Sequence, residues 1–363
     1  MDEPVVVVGP GAVGLALAAG LRRAGVPTAL LGRSPHVERS LARNGFSMTA
    51  ADGRKSRVTG LQSARTIKAP AGAAFFCVKS GDTARAAAAA KRLIGPLTPV
   101  IALQNGIGHE QLYRRAFGPK RTVIGVCYFA ADRTRPAEVT LNGGNDILLA
   151  RHPGNERALD VARSLLSRAG FRVRLKESEE GMLWTKAAFN AAVNPLGAAC
   201  AVDSGRLEAD PALREVALAA LSEATAAAAV SGHRLDYPDM ADKLMLSCRN
   251  APRQRNSMLQ DLSAGRRTEA RAILGPLLTA AKRGRVEVPT LEILANDVRC
   301  THGATIGPIS EEQLWYLATR GVAKKNAERL IVSGFLAAAL EKVSDLSVRT
   351  SAADRIATLV AQS

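Results

Sequence analysis

The chain has 363 residues, 47% of them hydrophobic, 23% charged and 4% aromatic, and a formal net charge of +16. The length accommodates two domains that each bury a core, the composition excludes a disordered chain, and no apolar run reaches the roughly 18 to 20 residues that span a bilayer. Arginines and lysines are spread along the whole chain and aromatic stacking platforms are scarce, so the positive field points to small anionic ligands and away from nucleic acid.

An acidic Met1-Asp2-Glu3-Pro4 start leads straight into the β-branched run Val5–Val8. It leaves no room for a signal or transit peptide, and the expectation is a cytoplasmic protein. Gly9-Pro10-Gly11-Ala12-Val13-Gly14 follows that strand at once and opens a helix expected over 12–24. In a G-x-G-x-x-G turn the first glycine allows the bend, the second lets the backbone approach a pyrophosphate, and the third lets helix and strand pack closely. The diphosphate sits on N–H groups at the positive end of the helix. With a second strand at Thr28–Leu31, the context is that of a dinucleotide site, its cofactor-binding residues being Gly9, Gly11, Ala12, Val13 and Gly14. The second strand ends in Leu31-Gly32-Arg33-Ser34, without the acid that holds a ribose 2′-hydroxyl. The Arg33 guanidinium and the Ser34 hydroxyl can both donate to a 2′-phosphate, so the expected cofactor is NADPH. The alternative for Arg33 is a solvated surface arginine.

Further short apolar runs at Ala73–Val78, Val100–Leu103, Val123–Cys127 and Ile147–Ala150 suit strands covered on both faces. They predict a mainly parallel, doubly wound α/β sheet of Rossmann type over residues 1–176. The cluster Ala86–Ala90 reads as helix surface, because alanine is the strongest helix former. From about Glu177 strand signals vanish, and Ala/Leu-periodic stretches such as Leu213–Val230 predict an all-α second domain over 177–290. The five cysteines (Cys77, Cys127, Cys200, Cys248, Cys300) form no C-x-x-C pair and the five histidines are equally dispersed, which argues against disulfides and a structural metal.

The most informative stretch opens the second domain: Leu183-Trp184-Thr185-Lys186-Ala187-Ala188-Phe189-Asn190-Ala191-Ala192-Val193-Asn194-Pro195-Leu196. Lys186, Asn190 and Asn194 are four apart, so on a helix they form one slowly drifting stripe. Their neighbours are small or apolar, which makes the stripe a polar line in an otherwise buried helix. Buried polar groups need partners, and in an open cleft a substrate is that partner. The alternative is a lysine snorkelling to solvent beside two helix-interior asparagines. Pro195 lacks the helical N–H and is expected to kink the helix.

Together with Cys77-Val78-Lys79, Leu103-Gln104-Asn105-Gly106-Ile107-Gly108, and Asn256-Ser257-Met258-Leu259-Gln260-Asp261 followed by Arg266-Arg267-Thr268-Glu269, these motifs make residues 4 to about 290 resemble the ketopantoate reductases. The resemblance implies a Rossmann domain and a helical domain with the active site in the cleft between them. It implies that Lys186 is the general acid that protonates the carbonyl oxygen as NADPH delivers hydride to the adjacent carbon. It further implies that Asn190, Asn194 and Ser257 hold the substrate and that Glu269 lies near the lysine and substrate. Lys79 and Asn105 match positions lining the nicotinamide side of the cleft, and Asn105 and Glu269 are carried over to both ligands. The chemistry of the residues agrees. Reducing a ketone builds negative charge on oxygen, which a cationic acid stabilises and then protonates, without a metal. Asparagine and serine bind carboxylate and hydroxyl groups without adding charge that perturbs the lysine.

After Val288-Pro289-Thr290 the chain departs from that family. Leu291 to Gly307, with Cys300-Thr301-His302-Gly303 among them, then Glu311 to Leu317 and Arg320-Gly321, resemble the C-terminal part of the SufD-type subunit of the SUF iron–sulfur assembly scaffold. Ser310 with Gln313 forms a capping box, Gly321 is a stop, and Leu330, Phe335, Leu336, Leu340 and Val343 mark an amphipathic helix. The β-helix that precedes this region in the scaffold is absent, and a solenoid needs stacked neighbours to bury its faces. The expectation for 291–363 is therefore a mainly helical fusion remnant, with Trp315 and Tyr316 as packing residues.

The expected function is NADPH-dependent reduction of 2-dehydropantoate to pantoate, on the route to coenzyme A. The expected partner is a small anionic 2-keto acid, with a homodimer left open and neither nucleic acid nor membrane involved. Three rivals stand beside it: a paralogue reducing another 2-keto acid, an iron–sulfur assembly or interaction protein led by the tail, and a nicotinamide sensor without catalysis. The presence of Lys186 weighs against the last.

Overall fold

A computed structural model of the protein describes residues 3–68 and 70–284 and, beyond these, only positions 323, 326, 350, 353 and 354. In chain order the elements are β1 (Val5–Val8), α1 (Ala12–Arg23), β2 (Thr28–Leu31), α2 (Pro35–Asn44), β3 (Phe46–Thr49), β4 (Lys55–Val58) and β5 (Gln62–Ser63). There follow β6 (Ala73–Phe76), α3 (Thr83–Ala90), β7 (Val100–Ala102), α4 (His109–Phe117), β8 (Thr122–Arg135), β9 (Glu138–Ala150), α5 (Glu156–Arg168) and β10 (Arg172–Lys176). The remainder is helical: α6 (Glu179–Ala199), α7 (Ser204–Ala209), α8 (Pro211–Val230), α9 (Met240–Asn250), α10 (Ser257–Ser263) and α11 (Ala270–Gly284).

Four consecutive valines make β1 because both faces of that strand are covered. Val5 and Val7 join a core with Leu15, Leu17 and Leu21 of α1 and Leu159 and Leu166 of α5. Val6 and Val8 point the other way, into a core with Ala86 and Ala90 of α3 and Tyr113 and Phe117 of α4. Successive side chains of a strand point to opposite faces, so a strand between two helical layers carries no polar alternation. The expected doubly wound sheet is thus present, with strands in the order β4-β3-β9-β8-β7-β6-β1-β2-β5 and β10 beside β9.

From β5 through β2, β1, β6 and β7 to β8 every pairing is parallel. There the chain turns back: β8 and β9 pair antiparallel, β10 and β3 each run parallel to β9, and β4 pairs antiparallel with β3. The sheet is therefore mixed, and two expectations are corrected. Val123–Cys127 does continue the parallel series from β7, but Ile147–Ala150 runs antiparallel to it, the two being the inner ends of one hairpin whose arms are 14 and 13 residues long. The outer halves of those arms are polar and partly exposed, so no apolar run marked them. Ala86–Ala90 is not simply helix surface, since Ala86, Ala87 and Ala90 are buried and only Ala88 and Ala89 face outward. Their small methyls let α3 lie close against the sheet.

The last strand ends at Lys176 and α6 begins at Glu179, capped by the Ser178 hydroxyl, which accepts from Gly181 N at 2.9 Å. Glu179 and Glu180 in its first turn complement the helix dipole. α6 is the axis of the helical region: its Trp184, Ala188, Phe189 and Ala192 pack with Leu221 and Ala228 of α8, Leu244 of α9 and Leu277 and Ala281 of α11. Pro195 falls inside α6, which continues past it to Ala199. No helix among the described residues is long and apolar enough to cross a membrane. Cys300, the Ser310–Gln313 capping box, Trp315, Tyr316, Gly321 and the helix marked by Leu330 to Val343 lie outside the described residues.

Candidate active site

The glycine loop is built by three different constraints. Gly9 holds φ +94°, and a Cβ there would stand 2.6 Å from Val78 Cγ1 and 2.9 Å from the Cys77 carbonyl carbon, so only glycine lets the loop pass the end of β6. A Cβ on Gly14 would lie 2.1 Å from the Gly9 oxygen, whereas one on Gly11 would meet nothing within 4 Å. Gly11 caps α1 without a side-chain bond, leaving the first-turn N–H groups of Ala12 and Val13 beside open space. That N–H-lined cradle fits a dinucleotide diphosphate. Arg133, from β8, braces it by donating from Nη1 to the Pro10 carbonyl at 2.9 Å.

At the end of β2 the Arg33 side chain is exposed, and the Ser34 hydroxyl caps α2 by accepting from Val37 N at 3.4 Å. An acid that sequence reasoning missed, Glu38, is fully buried nearby. It accepts from Gly32 N at 2.9 Å, from the Ser63 hydroxyl and from Arg65 Nε at 3.2 Å, while Arg65 Nη2 donates to the Gly32 carbonyl at 3.1 Å. The carboxylate is thereby taken up in bracing Gly32, and Arg33 and Ser34 after it face solvent.

Lys186, Asn190 and Asn194 share one face of α6. The Lys186 ammonium lies 4.2 Å from the centroid of the Tyr128 ring. Burial pushes its pKa down to about 8, opposed by the neighbouring Cys127 thiol. Burial in turn pushes Cys127 up to about 12 and raises Tyr128, on which Tyr237 and Asp236 act in the same direction. Asn190 and Asn194 are 9% and 3% exposed, yet their amides make no side-chain hydrogen bond and are not among the fully enclosed polar atoms. Both therefore present unpartnered amides to accessible space. Ser257 is exposed as the first residue of α10. Asn256 before it accepts from Leu259 N at 2.9 Å and donates from Nδ2 to the Val193 carbonyl at 3.2 Å, pinning the start of α10 to the Asn194 turn of α6.

A second cluster forms where loops at the C-terminal ends of β6 and β7 meet the segment joining α10 and α11. The Ser80 N–H donates to Glu269 Oε1 at 2.8 Å. Burial raises the Glu269 carboxyl, opposed by that N–H, the Lys79 charge and the Asn105 amide. Lys79 Nζ stands 2.5 Å from Asp261 Oδ2 and donates to the Arg267 carbonyl at 3.1 Å, and Arg266 Nε reaches Asp261 Oδ1 at 3.1 Å. Asn105 is carried by Gln104, whose Nε2 donates to the Val78 carbonyl at 2.8 Å and to Thr83 Oγ1 at 2.9 Å while its Oε1 accepts from the Tyr113 hydroxyl at 2.6 Å. The carboxyl ends of parallel strands are where open α/β sheets bind ligands.

The structure thus brings Lys79, Asn105 and Glu269 together with Asp261, and sets Lys186, Asn190 and Asn194 on one helix face. Lys186 and Glu269 form no ion pair; Glu269 takes Ser80 instead. Besides Glu38, sequence reasoning missed Tyr128, Cys127, Arg65 and Arg133. Nothing in their local sequence marks them, because each is placed by pairing across distant segments.

The family model described as "Ketopantoate reductase PanE/ApbA" matches residues 5–154, and "Ketopantoate reductase PanE/ApbA C terminal" matches residues 180–300. "SUF system FeS cluster assembly, SufBD core domain" matches residues 266–335. The 2-dehydropantoate 2-reductase of Halobacterium salinarum is 29% identical over 299 residues, which is 81% of this chain and 97% of that protein. The iron–sulfur cluster assembly protein SufD of Escherichia coli is 41% identical over 68 residues, only 19% of this chain and 16% of SufD. A ketopantoate reductase structure from Ralstonia eutropha shares 27% identity and a TM-score of 0.68, covering 79% of this chain and 94% of its own. A D-mandelate dehydrogenase with NADH and anilino(oxo)acetate, 22% identical with a TM-score of 0.70 over the same shares of the two chains, shares the fold. Matched by the family in both its sheet and its helical region, and aligned with relatives over nearly their whole length, the chain belongs to the ketopantoate reductase family of oxidoreductases.

Proposed function

We propose that the protein is a cytoplasmic NADPH-dependent reductase of a small anionic 2-keto acid, with 2-dehydropantoate as substrate and pantoate as product. The observation that carries this reading is the Lys186 ammonium, buried to a pKa of about 8 on the same helix face as two unpartnered asparagine amides. Residues 1–176 would hold the dinucleotide and 177–290 the substrate, with 291–363 appended to them.

In this reading the Ala12 and Val13 N–H groups and the glycine turn hold the diphosphate, and Arg33 takes the 2′-phosphate. Lys79, Asn105 and Glu269 border the nicotinamide, which when bound supplies a hydride. Asn190, Asn194 and Ser257 bind the carboxylate and hydroxyl of the keto acid and fix its carbonyl. Lys186 donates a hydrogen bond to the carbonyl oxygen, stabilises the charge that grows there, and gives up its proton. A lysine near pKa 8 remains mostly protonated at neutral pH yet releases its proton more readily than an ordinary one.

A second reading, an NADH-linked reductase of an aromatic 2-keto acid, is favoured by the aromatic side chains beside the site, Tyr128 against Lys186 and Phe189 stacked on Tyr237. Steady-state rates for 2-dehydropantoate and an aryl 2-keto acid, each with NADPH and NADH, separate the two. The leading reading expects kcat/KM to be highest for 2-dehydropantoate with NADPH, and a preference for the aryl acid with NADH would replace it.

A further inference from the structure

Lys186 stands in surroundings that drive its proton off, while the reaction proposed above needs the ammonium form. The ring of Tyr128 lies against that ammonium, and the fold places it there by a local irregularity. Tyr128 pairs with Asp146, but the next pair of the hairpin is Ala130 with Gly143, so the register shifts at this residue. Gly144, across the hairpin, holds φ +70°, and a Cβ on it would lie 2.4 Å from the Tyr128 oxygen. A bulge re-aims the side chains beside it. Tyr128 accordingly packs against both the sheet's apolar layer and the helical core, with its ring face 4.2 Å from Lys186 Nζ. Its hydroxyl is buried without a hydrogen-bond partner. Leaving such a group unpaired is costly, so packing and the ring face hold the residue, and the hydroxyl does not.

We propose that Tyr128 is a positioning residue of the reductase site: its ring face fixes the Lys186 ammonium and keeps it protonated by cation–π attraction. The proposal rests on the reading of Lys186 as the general acid. The other titratable group acting on Lys186 is Cys127, on the same strand as Tyr128. Tyr237 and Asp236, from the segment between α8 and α9, act on Tyr128, and Asp236 pairs with Lys176 at 3.0 Å. Among the described residues, α8, α10 and α11 bring no ionisable group to act on either.

The test is an NMR titration of ε-labelled lysine in the full chain, with Lys186 assigned by Lys186→Arg, run beside the pH profile of kcat/KM. Tyr128→Met keeps apolar bulk and removes the π face, whereas Tyr128→Phe keeps the face. In Tyr128→Met the Lys186 titration and the basic limb of kcat/KM should both move to lower pH by roughly half to one and a half units. Tyr128→Phe should restore both. Phenylalanines of increasing fluorination at position 128 keep the shape while weakening the face; they should lower the titration stepwise, and they serve if the methionine variant does not fold. A titration that stays put or moves up in Tyr128→Met, or that ignores fluorination, overturns the proposal. A titration that moves while the kcat/KM limb does not leaves the ring–ammonium coupling standing and rejects Lys186 as the general acid.

Discussion

Lys79 Nζ lies 2.5 Å from Asp261 Oδ2, an ion pair that ties the loop after β6 to α10. With the Ser80 to Glu269 hydrogen bond it joins the strand region to the helical region at the rim of the candidate site. The Lys79 side chain is 42% exposed, which limits the pair to about 1 kcal/mol, and an asparagine in place of the buried Asp261 keeps an acceptor for Lys79 and Arg266. Asp261→Asn should therefore barely lower the melting temperature while raising KM for the dinucleotide roughly tenfold, the scale of a lost charge-assisted hydrogen bond. Calorimetry beside steady-state kinetics checks this; a large loss of stability with unchanged KM would make the pair a folding element.

Two glycines of one loop should fail differently. Gly14→Ala forces a methyl to 2.1 Å from the Gly9 oxygen and should destabilise the fold by several kcal/mol, on the order of an overpacked core. Gly11 has φ −81° and open space around its Cβ position. Gly11→Ala should hold stability within about 0.5 kcal/mol and still weaken dinucleotide binding, because its methyl enters the space the diphosphate needs. Denaturant unfolding and nucleotide titration of both variants give the comparison.

Lys186 should impose a pH-dependent stability cost. Its folded pKa, about 8, lies below the ordinary lysine value. Between the two values the unfolded chain binds a proton that the folded chain lacks, so stability rises as pH climbs through that window. The cost is greatest below pH 8 and on the order of 3 kcal/mol. Lys186→Met should thus be inactive but more stable at pH 7, with the gain fading as pH rises above about 8 and gone above the ordinary lysine value. Unfolding curves at several pH values read this directly, and equal stability at all pH values would mean that the ammonium is well solvated.

Arg33→Ala should lower kcat/KM for NADPH by roughly tenfold or more and leave that for NADH nearly unchanged, if the guanidinium takes the 2′-phosphate as proposed. Equal losses with both cofactors would place Arg33 outside cofactor discrimination.

Local patterns were readable wherever one short segment carries the whole signal. Val5–Val8 announces a strand covered on both sides, and Gly9 to Gly14 the turn after it, since each constraint acts within a few residues. The i, i+4 spacing likewise put Lys186, Asn190 and Asn194 on one helix face. The hairpin of β8 and β9 was not readable, because its polar outer arms are defined only by pairing with each other. Tyr128 and Glu38 escaped for the same reason: one is aimed by a bulge opposite Gly144, and the other braces a turn six residues before it in company with Ser63 and Arg65.

The proposed reaction rests on Lys186 as the acid of a 2-keto acid reductase. Its most direct test is oxidation of NADPH with 2-dehydropantoate by the parent chain and by Lys186→Ala, with NADPH affinity measured for both. Expected are turnover in the parent, a fall in kcat of about 100- to 10,000-fold in the variant, and NADPH binding retained. Turnover in Lys186→Ala close to that of the parent would contradict that role of Lys186.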